Sequence, residues 1–208
     1  MRIIVFGASG QTGKEVIKLM ASAGHEVIGA MRDVSKTSTQ DNLTTVACDV
    51  LDPSSLTFAT QAKADAVVIV LGTKQLTGNQ VRSLGTSNII SALRPIEGKK
   101  PRIILLSAAG VGSSWGQIGW FSQLLSRLIL GHTMREHETQ EQTLINSGFQ
   151  HHILRAVGLT NKPQTGYQLM SKHKLPNMYV SRKAVAVSIA DLIVKETDQS
   201  SINCICSD

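Results

Sequence analysis

The sequence is short of the residues that define several classes of protein. Its 208 residues include three cysteines and five prolines, and 4% of them are aromatic. Three cysteines are too few for a disulfide framework or a zinc cluster, and five prolines beside 17 glycines exclude a collagen-like chain. No apolar run reaches the roughly 18 residues of a membrane-spanning helix. Because the chain opens directly on a strand pattern without a signal peptide, we expect a soluble cytoplasmic protein.

The charge balance favours an anionic small molecule as the ligand. The formal charge is +6, and 42% of the residues are hydrophobic. The basic residues stand singly or in pairs, such as Lys99 with Lys100, and no basic stripe is interleaved with aromatic residues. This distribution argues against a nucleic-acid partner. We expect a ligand that carries phosphate or carboxylate, no membrane partner and no metal site, in a monomer or weak homo-oligomer.

Short β-branched runs alternate with longer helical patterns along the chain. This alternation predicts an α/β protein with a doubly wound parallel sheet and helices on both faces. The predicted strands are 2–6, 25–31, 44–48, 66–71, 102–107, 151–155 and the terminal run 201–206. The predicted helices are 11–22, 79–94, 133–147 and 182–195, with Gly24 ending the first helix and Ser181 capping the last.

We predict a single domain over residues 1–208, because neither an internal repeat nor a linker divides the chain. Two later segments, 108–132 and 161–180, are predicted to be substrate-side loops that form a small C-terminal lobe over the carboxyl ends of the strands. Four apolar residues recur at helical spacing within the first segment, a pattern more typical of core packing than of binding; they are Phe121, Leu124, Leu125 and Leu128.

The strongest local motif is the turn that follows the first predicted strand. It reads Gly7-Ala8-Ser9-Gly10-Gln11-Thr12-Gly13 and opens a helix. Gly7 allows a tight exit from the strand, Gly10 a close approach of the backbone to a pyrophosphate, and Gly13 close packing of helix on sheet. The helix N-terminus presents N–H groups to the phosphates, and Ser9, Gln11 and Thr12 can add side-chain donors. The motif therefore predicts a dinucleotide site.

The G-x-x-G-x-x-G spacing resembles that of the extended and atypical short-chain dehydrogenase/reductase superfamily. The resemblance covers nearly the whole chain and is nearest to the small NAD(P)H-binding group typified by flavin reductase/biliverdin IX-beta reductase. It rests on FGASGQTG, MRD, CDV, VIVLGT, the Ser-Ala pair after RIILL, and HETQEQTLINSGF, in that order. The resemblance implies a Rossmann fold that binds NADPH or NADP.

The end of the second predicted strand bears on the choice of nicotinamide cofactor. Arg32 is the first polar residue past that strand, so its planar fork can neutralise a 2′-phosphate. Asp33 lies about twenty residues beyond the last glycine, the offset of an acid that binds the ribose of NAD. We interpret Asp33 instead as the cap of the turn 34–36, and we predict NADPH. A solvated Arg-Asp pair is the structural alternative.

Further cofactor contacts are expected after the third and fourth strands. Asp49 and Val50 stand where the superfamily places residues beside the adenine, although a capping role for Asp49 before Leu51 is an equal alternative. The turn Leu71-Gly72-Thr73 follows the fourth strand, and its glycine is expected to let the ribose and pyrophosphate pass close by.

The reaction end departs from the superfamily pattern. Counting back from the SGF segment, the position of the superfamily's catalytic lysine holds His137 and that of its tyrosine holds Thr133. No tyrosine lies within 110–148. Interconversion of an alcohol and a ketone needs a group that shuttles the hydroxyl proton, so this absence counts against an epimerase or alcohol dehydrogenase.

A planar conjugated acceptor can take hydride without such a dyad, because charge spreads over its ring system. Ser107 stands where the superfamily places its active-site serine, and with Ala108 it is expected to face the cofactor; Ser107 is the candidate catalytic residue. His137 is a weaker candidate for the nicotinamide ribose, since a lone histidine on a polar helix is usually a surface residue. For the acceptor we expect contacts from Ala109, Trp115 and Lys172, where loop anchoring and solvated charge are the alternatives.

Three functions fit these residues. The leading hypothesis is an NADPH-dependent reductase of a flavin or a bilin-like tetrapyrrole. The second is a non-catalytic NADP-binding redox sensor similar to the NmrA-like regulators. The third is a reductase or isomerase of another quinone or carbonyl substrate.

Overall fold

The computed structural model describes residues 1–37, 40–73, 80–119, 131–195 and 197–208. Within these ranges the strands are β1 (Arg2–Phe6), β2 (Glu26–Met31), β3 (Leu43–Ala47), β4 (Ala66–Ile69), β5 (Arg102–Ala108), β6 (His151–Ala156), β7 (Gly158–Thr160), β8 (Gln168–Met170), β9 (Tyr179–Ser181) and β10 (Ser201–Cys206). The helices are α1 (Gln11–Ser22), α2 (Thr57–Gln61), α3 (Ser83–Leu93), α4 (Gly131–Ile145) and α5 (Arg182–Val194).

The main sheet has the strand order β3-β2-β1-β4-β5-β6-β10-β8, which confirms the doubly wound fold class. Its strands run parallel except β8, which pairs antiparallel with β10. Strands β7 and β9 form a separate parallel pair. The strand order reverses between β1 and β4, and a crevice at the carboxyl ends of strands at such a point is the usual ligand site of this architecture.

Helices cover both faces of the sheet because its central strands are apolar on both sides. Ile3 and Val5 of β1 pack into the core with α1 and α5, whereas Ile4 and Phe6 pack into the core with α3 and α4. Strand β4 is buried throughout, as its unbroken apolar run predicts. The two cores hold α3 and α4 on one face and α1 and α5 on the other.

The ends of several elements agree with the sequence. Helix α1 has the predicted bounds, and Gly24 follows it with φ +81°. Ser181 caps α5 by accepting a hydrogen bond from the N–H of Ala184. At the other end of α5, the Arg102 guanidinium donates to carbonyl groups of the last turn and beyond, those of Leu192, Ile193, Lys195 and Thr197.

Other boundaries differ from the predicted ones. Strand β4 ends at Ile69, two residues early, and α3 begins at Ser83. Segment 161–180 is not wholly irregular, because β8 lies within it and extends the main sheet through β10. The predicted helical start at Asn79 and the apolar stripe lie outside the described residues; the stripe comprises Phe121, Leu124, Leu125 and Leu128. None of the helices in the described ranges has the length and apolar content of a bilayer-spanning segment.

Candidate functional site

The glycines of the first turn are required by the packing of the chain itself. Gly7 has φ +85°, and a Cβ on it would lie 2.6 Å from the carbonyl oxygen of Val70. A Cβ on Gly13 would lie 2.2 Å from the carbonyl oxygen of Gly7. Both distances are far inside van der Waals contact, so the turn brings β1, α1 and the end of β4 together only with glycine at these positions.

The N-terminus of α1 has the features of an anion site. Gly10 is its N-cap, so no side chain caps the helix, and the first turn holds no acidic residue. The N–H groups and the positive end of the helix dipole are therefore available to a phosphate. Around them, Gln11 is exposed, Ser9 half-buried and Thr12 buried.

After β2, the adjacent residues Arg32 and Asp33 have different surroundings. Arg32 is exposed directly after the strand. The Asp33 carboxylate accepts hydrogen bonds from the N–H of Ser35 at 3.1 Å and from its hydroxyl at 2.6 Å, which confirms its predicted role as the cap of the turn 34–36. One carboxylate oxygen of Asp33 is thus engaged within the turn, beside an exposed guanidinium.

Of the residues that follow β3 and β4, some are engaged in the fold and Gly72 is exposed to solvent. The Asp49 carboxylate accepts a hydrogen bond from the N–H of Leu51 at 3.0 Å, so its capping role is present. Val50 is buried, and a Cβ on Gly85 of α3 would lie 2.7 Å from its Cγ2. Gly72 is exposed beside Leu71 and Thr73, and a Cβ on it would meet nothing within 4 Å. Adenine and ribose contacts at these residues stay predictions.

At the reaction end, helix α4 brings His137 against Ser107. Ser107 is buried near the carboxyl end of β5, and its Oγ lies 3.5 Å from His137 Nδ1. Burial, assisted by the positive charge of Arg82, lowers the pKa of His137 to about 3. The imidazole is therefore neutral near pH 7, with one nitrogen able to donate a hydrogen bond and the other able to accept one.

The expectation that His137 is exposed on a polar helix is wrong. Two buried polar residues of α4 face α3: Glu136 accepts hydrogen bonds from Ser83, and Gln140 donates to Thr86 at 2.8 Å. Each of these two side chains thus meets a polar group on α3, although the Oε1 of Gln140 has no partner among the described residues. The sequence signal was present, because α3 also carries serine and threonine at helical spacing.

Arg82, at the start of α3, is a site residue that the sequence analysis missed. It is half-buried and close enough to His137 to affect the pKa of the imidazole. Burial lowers the pKa of the Arg82 guanidinium itself, and the charge of Glu136 offsets only part of this shift. A single arginine within the predicted helix 79–94 carries no sequence signal of this position.

A buried ion pair fixes the segment after β5. The Arg155 guanidinium on β6 donates to both carboxylate oxygens of Glu141 on α4, with a shortest distance of 2.7 Å, and to the Ser113 hydroxyl at 2.9 Å. Gly112 has φ +52° beside this guanidinium. The turn at 112–117 is therefore held by α4 and β6 together.

The two predicted substrate-side segments meet. The N–H of Leu175 donates to the carbonyl of Gln117 at 3.1 Å. Trp115 is half-buried against the core of the α1 and α5 face, so it anchors its own turn, and Ala109 is held to β6 through the carbonyl of Ala156. Lys172 is exposed. Acceptor contacts at Ala109, Trp115 and Lys172 stay predictions.

Neither tyrosine of the chain stands in for the missing catalytic tyrosine. The Tyr167 hydroxyl donates to Asp191 of α5 at 2.5 Å, on the face of the sheet opposite α4. Its burial and this hydrogen bond raise its pKa to about 12. Tyr179 is exposed, with the Lys162 ammonium 5.0 Å from its ring centroid.

Residues 7–196 match the family described as NAD(P)H-binding. The chain belongs to this family. The match begins at the first glycine of the turn and runs through the end of α5, so it covers the site as a whole. The protein is accordingly an NAD(P)H-binding protein of Rossmann type, which confirms the family inferred from the sequence.

The proteins similar to this chain include one relative by sequence and several solved structures of the same fold. A protein of Arabidopsis thaliana, known as uncharacterized and chloroplastic, is 30% identical over 205 residues, which are 94% of this chain and 72% of that protein. The anaerobilin reductase ChuY of Escherichia coli O157:H7 superposes with a TM-score of 0.82 at 21% identity, over 100% of this chain and 97% of its own. A short-chain dehydrogenase/reductase of Veillonella parvula in complex with NADP gives 0.78 at 20% identity, over 100% and 94%. The cytoplasmic location stays a prediction.

Proposed function

We propose that the protein is an NADPH-dependent reductase that transfers hydride to a planar conjugated acceptor, a flavin or a linear tetrapyrrole, without a Tyr-Lys dyad. The observation that carries this proposal is the contact between Ser107 and a neutral, buried His137 at the carboxyl end of β5. These groups stand where the superfamily resemblance places catalytic residues, and neither is a strong acid or base near pH 7.

The turn 7–13 and the tip of β2 support NADPH as the cofactor. The uncapped N-terminus of α1 suits the diphosphate, and the exposed Arg32 suits an adenosine 2′-phosphate. Asp33, which would repel that phosphate, has one carboxylate oxygen engaged by Ser35. The remaining members of the proposed cofactor site are Asp49, Val50, Leu71, Gly72, Thr73, Ser107, Ala108 and His137.

In this proposal the chain's own residues position the cofactor and the acceptor by hydrogen bonds. When bound, the reduced nicotinamide supplies a hydride. Ser107 and neutral His137 hold hydrogen bonds at the reaction end without changing protonation state, so the proton that completes the reduction comes from water. The joined segments at 112–117 and 171–175 form the proposed acceptor wall, with Trp115 and Lys172 on it; Ala109, just before the first segment, is the third proposed acceptor contact.

Steady-state oxidation of NADPH with FMN, FAD and biliverdin tests the activity. We expect turnover with at least one of these acceptors and weaker activity with NADH than with NADPH. If the wild-type protein binds NADPH but oxidises it with none of the three acceptors, the acceptor class is wrong.

Arg32→Ala tests the cofactor preference. Loss of a charge-assisted contact to a phosphate should weaken NADPH binding about 10- to 100-fold and leave NADH binding within about twofold. Arg94→Ala is the matched control, because Arg94 is also an exposed arginine but lies at the end of α3. Tighter binding of NADH than of NADPH by the wild-type protein would overturn the preference.

A non-catalytic NADP-binding sensor is the second candidate function. The observation that favours it is again the neutral His137, because its lowered pKa keeps this imidazole from serving as a proton shuttle near pH 7. Tight NADP binding together with negligible single-turnover reduction of all three acceptors would favour this candidate.

A further inference from the structure

Arg82 carries a positive charge that the described part of the protein leaves without a direct counter-charge. The residue is half-buried immediately before α3. Its Nε is buried and has no hydrogen-bond partner among the described residues. Nor does any described carboxylate lie within the 4.0 Å of an ion pair with its guanidinium. Burial of a cation without a partner is unfavourable, so such a group calls for a ligand.

The carboxylate that attracts Arg82 electrostatically, that of Glu136, is engaged elsewhere. Both of its oxygens accept hydrogen bonds from the Ser83 hydroxyl at 2.9 Å, and one also accepts from the Ser83 N–H at 3.3 Å. Glu136 therefore attracts Arg82 only at longer range. The Nε–H of Arg82 thus keeps a hydrogen-bonding capacity that no described residue uses, and the residue as a whole is partly exposed to an anion that enters from outside.

Because of where Arg82 lies, an anion bound to it would be at the reaction end of the site. Arg82 precedes Ser83, whose partner Glu136 is the residue before His137. His137 Nδ1 is 3.5 Å from the Ser107 Oγ. The charge of Arg82 also lowers the pKa of His137, so Arg82 lies near the part of α4 that contacts the carboxyl end of β5. Arg32 follows β2, which is separated from β5 by β1 and β4. Arg32 and Arg82 therefore lie near different strands of the sheet.

We propose that Arg82 binds an anionic oxygen group, a carboxylate or a phosphate, of the acceptor. This inference rests on the proposed function and extends it, because it makes negative charge on the acceptor a requirement for tight binding. A flavin mononucleotide carries such a group as its phosphate, and a linear tetrapyrrole carries it as propionates. The alternative source of the same chemistry is the diphosphate of the cofactor.

The test compares charged and neutral forms of the same ring system. With wild-type protein and Arg82→Met, the KM is measured for FMN against riboflavin and for biliverdin against its dimethyl ester. We expect Arg82→Met to raise the KM of the charged acceptors about 10- to 100-fold and that of the neutral ones less than twofold. Arg82→Lys should recover part of the loss, and Arg94→Met is the matched control.

Binding measurements keep this proposal separate from the reductase activity. Quenching of flavin fluorescence by the NADP-loaded protein gives the Kd of FMN and of riboflavin whether or not turnover occurs. If the wild-type protein turns over no acceptor, the proposed function fails, while a selective loss of FMN binding in Arg82→Met still supports the anion site. An equal loss for FMN and riboflavin, or a loss confined to NADPH binding, would overturn it.

Competition on the wild-type protein gives a second measurement that needs no folded variant. Inorganic phosphate should raise the KM of FMN and leave that of riboflavin unchanged at equal ionic strength. Equal sensitivity of the two flavins to phosphate would contradict the assignment of Arg82 to the acceptor.

Discussion

Gly13 shows how one residue joins fold and function in this protein. The absence of a side chain lets α1 start against the carbonyl of Gly7, and the same closeness leaves the helix N-terminus open to a phosphate. The sequence predicts this role, because glycine spacing after a strand is a local signal. Asp33 is equally local: its bond to Ser35 spans two residues.

Gly13→Ala should destabilise the protein and weaken cofactor binding. Alanine favours a helix over glycine by about 1 kcal/mol, but the added Cβ would overlap the Gly7 carbonyl at 2.2 Å, and overpacking of this kind costs about 1–3 kcal/mol or more. Urea unfolding and NADPH titration measure the two effects. Gly116→Ala is the control, because a Cβ there meets nothing within 4 Å. A Gly13→Ala protein as stable as wild type would show that the turn can relax.

The surroundings of His137 and Arg82 could not be predicted from the sequence. Counting from a motif assigns His137 to the position of the superfamily's lysine, but the burial of His137 depends on α3, about 50 residues earlier in the chain. The pairings of Ser83 with Glu136 and of Thr86 with Gln140 are long-range, and single-sequence patterns do not encode which two polar faces meet. Arg82 was missed for the same reason.

At the scale of elements, α4 is held by polar contacts on two sides. Its residues Glu136 and Gln140 bind α3, and Glu141 binds Arg155 of β6. The Arg155 guanidinium also binds Ser113, so one charged group links α4, β6 and the turn after β5. A shift of α4 would therefore move His137 and the proposed acceptor wall together.

Arg155→Met should be strongly destabilising, because it leaves the Glu141 carboxylate buried without its partner. Breaking a buried pair in this way costs about 3–5 kcal/mol. The double variant Arg155→Met/Glu141→Leu removes both charges and should recover most of the loss in urea unfolding. If the double variant is no more stable than the single one, packing rather than charge governs this contact.

For the whole molecule, the order of the main strands and helices was predictable, whereas strand β8 within the predicted lobe was not. Uninterrupted apolar runs such as that of β4 identify strands covered on both faces, and the order of the elements along the chain then implies a parallel sheet. Strand β8 has three residues and no alternation of its own, so its pairing with β10 depends on tertiary packing. Propensity and periodicity do not report such a strand.

The stability of the whole molecule should fall as the pH is lowered below about 6.5. Burial, with the charges of Arg102, His151 and Lys195, lowers the pKa of His152 to about 4. The unfolded chain takes up this proton at about pH 6.5, whereas the folded protein does so only near pH 4. Unfolding is therefore favoured progressively across this window, by up to about 2 kcal/mol at pH 5 from this residue alone.

His152→Gln should flatten the dependence of the unfolding free energy on pH between 7 and 5. His173→Gln is the control, because His173 is exposed. Urea titrations at several pH values measure the slopes, to which His137 contributes equally in both variants. Parallel slopes for His152→Gln and the wild type would show that His152 is protonated in the folded protein at an ordinary pKa.

The three buried cysteines can report local opening of the structure through their reactivity. Cys48, Cys204 and Cys206 are free thiols, and burial raises the pKa of each. Because alkylating reagents attack the exposed thiolate, each cysteine reacts only when its surroundings open. Cys48 follows the edge strand β3, whereas the other two lie in β10, towards the opposite edge. The alkylation rate of each cysteine would therefore measure how often its part of the sheet opens. Comparing Cys48 with the two cysteines of β10 would compare local opening near the two edges of the sheet without any engineered probe.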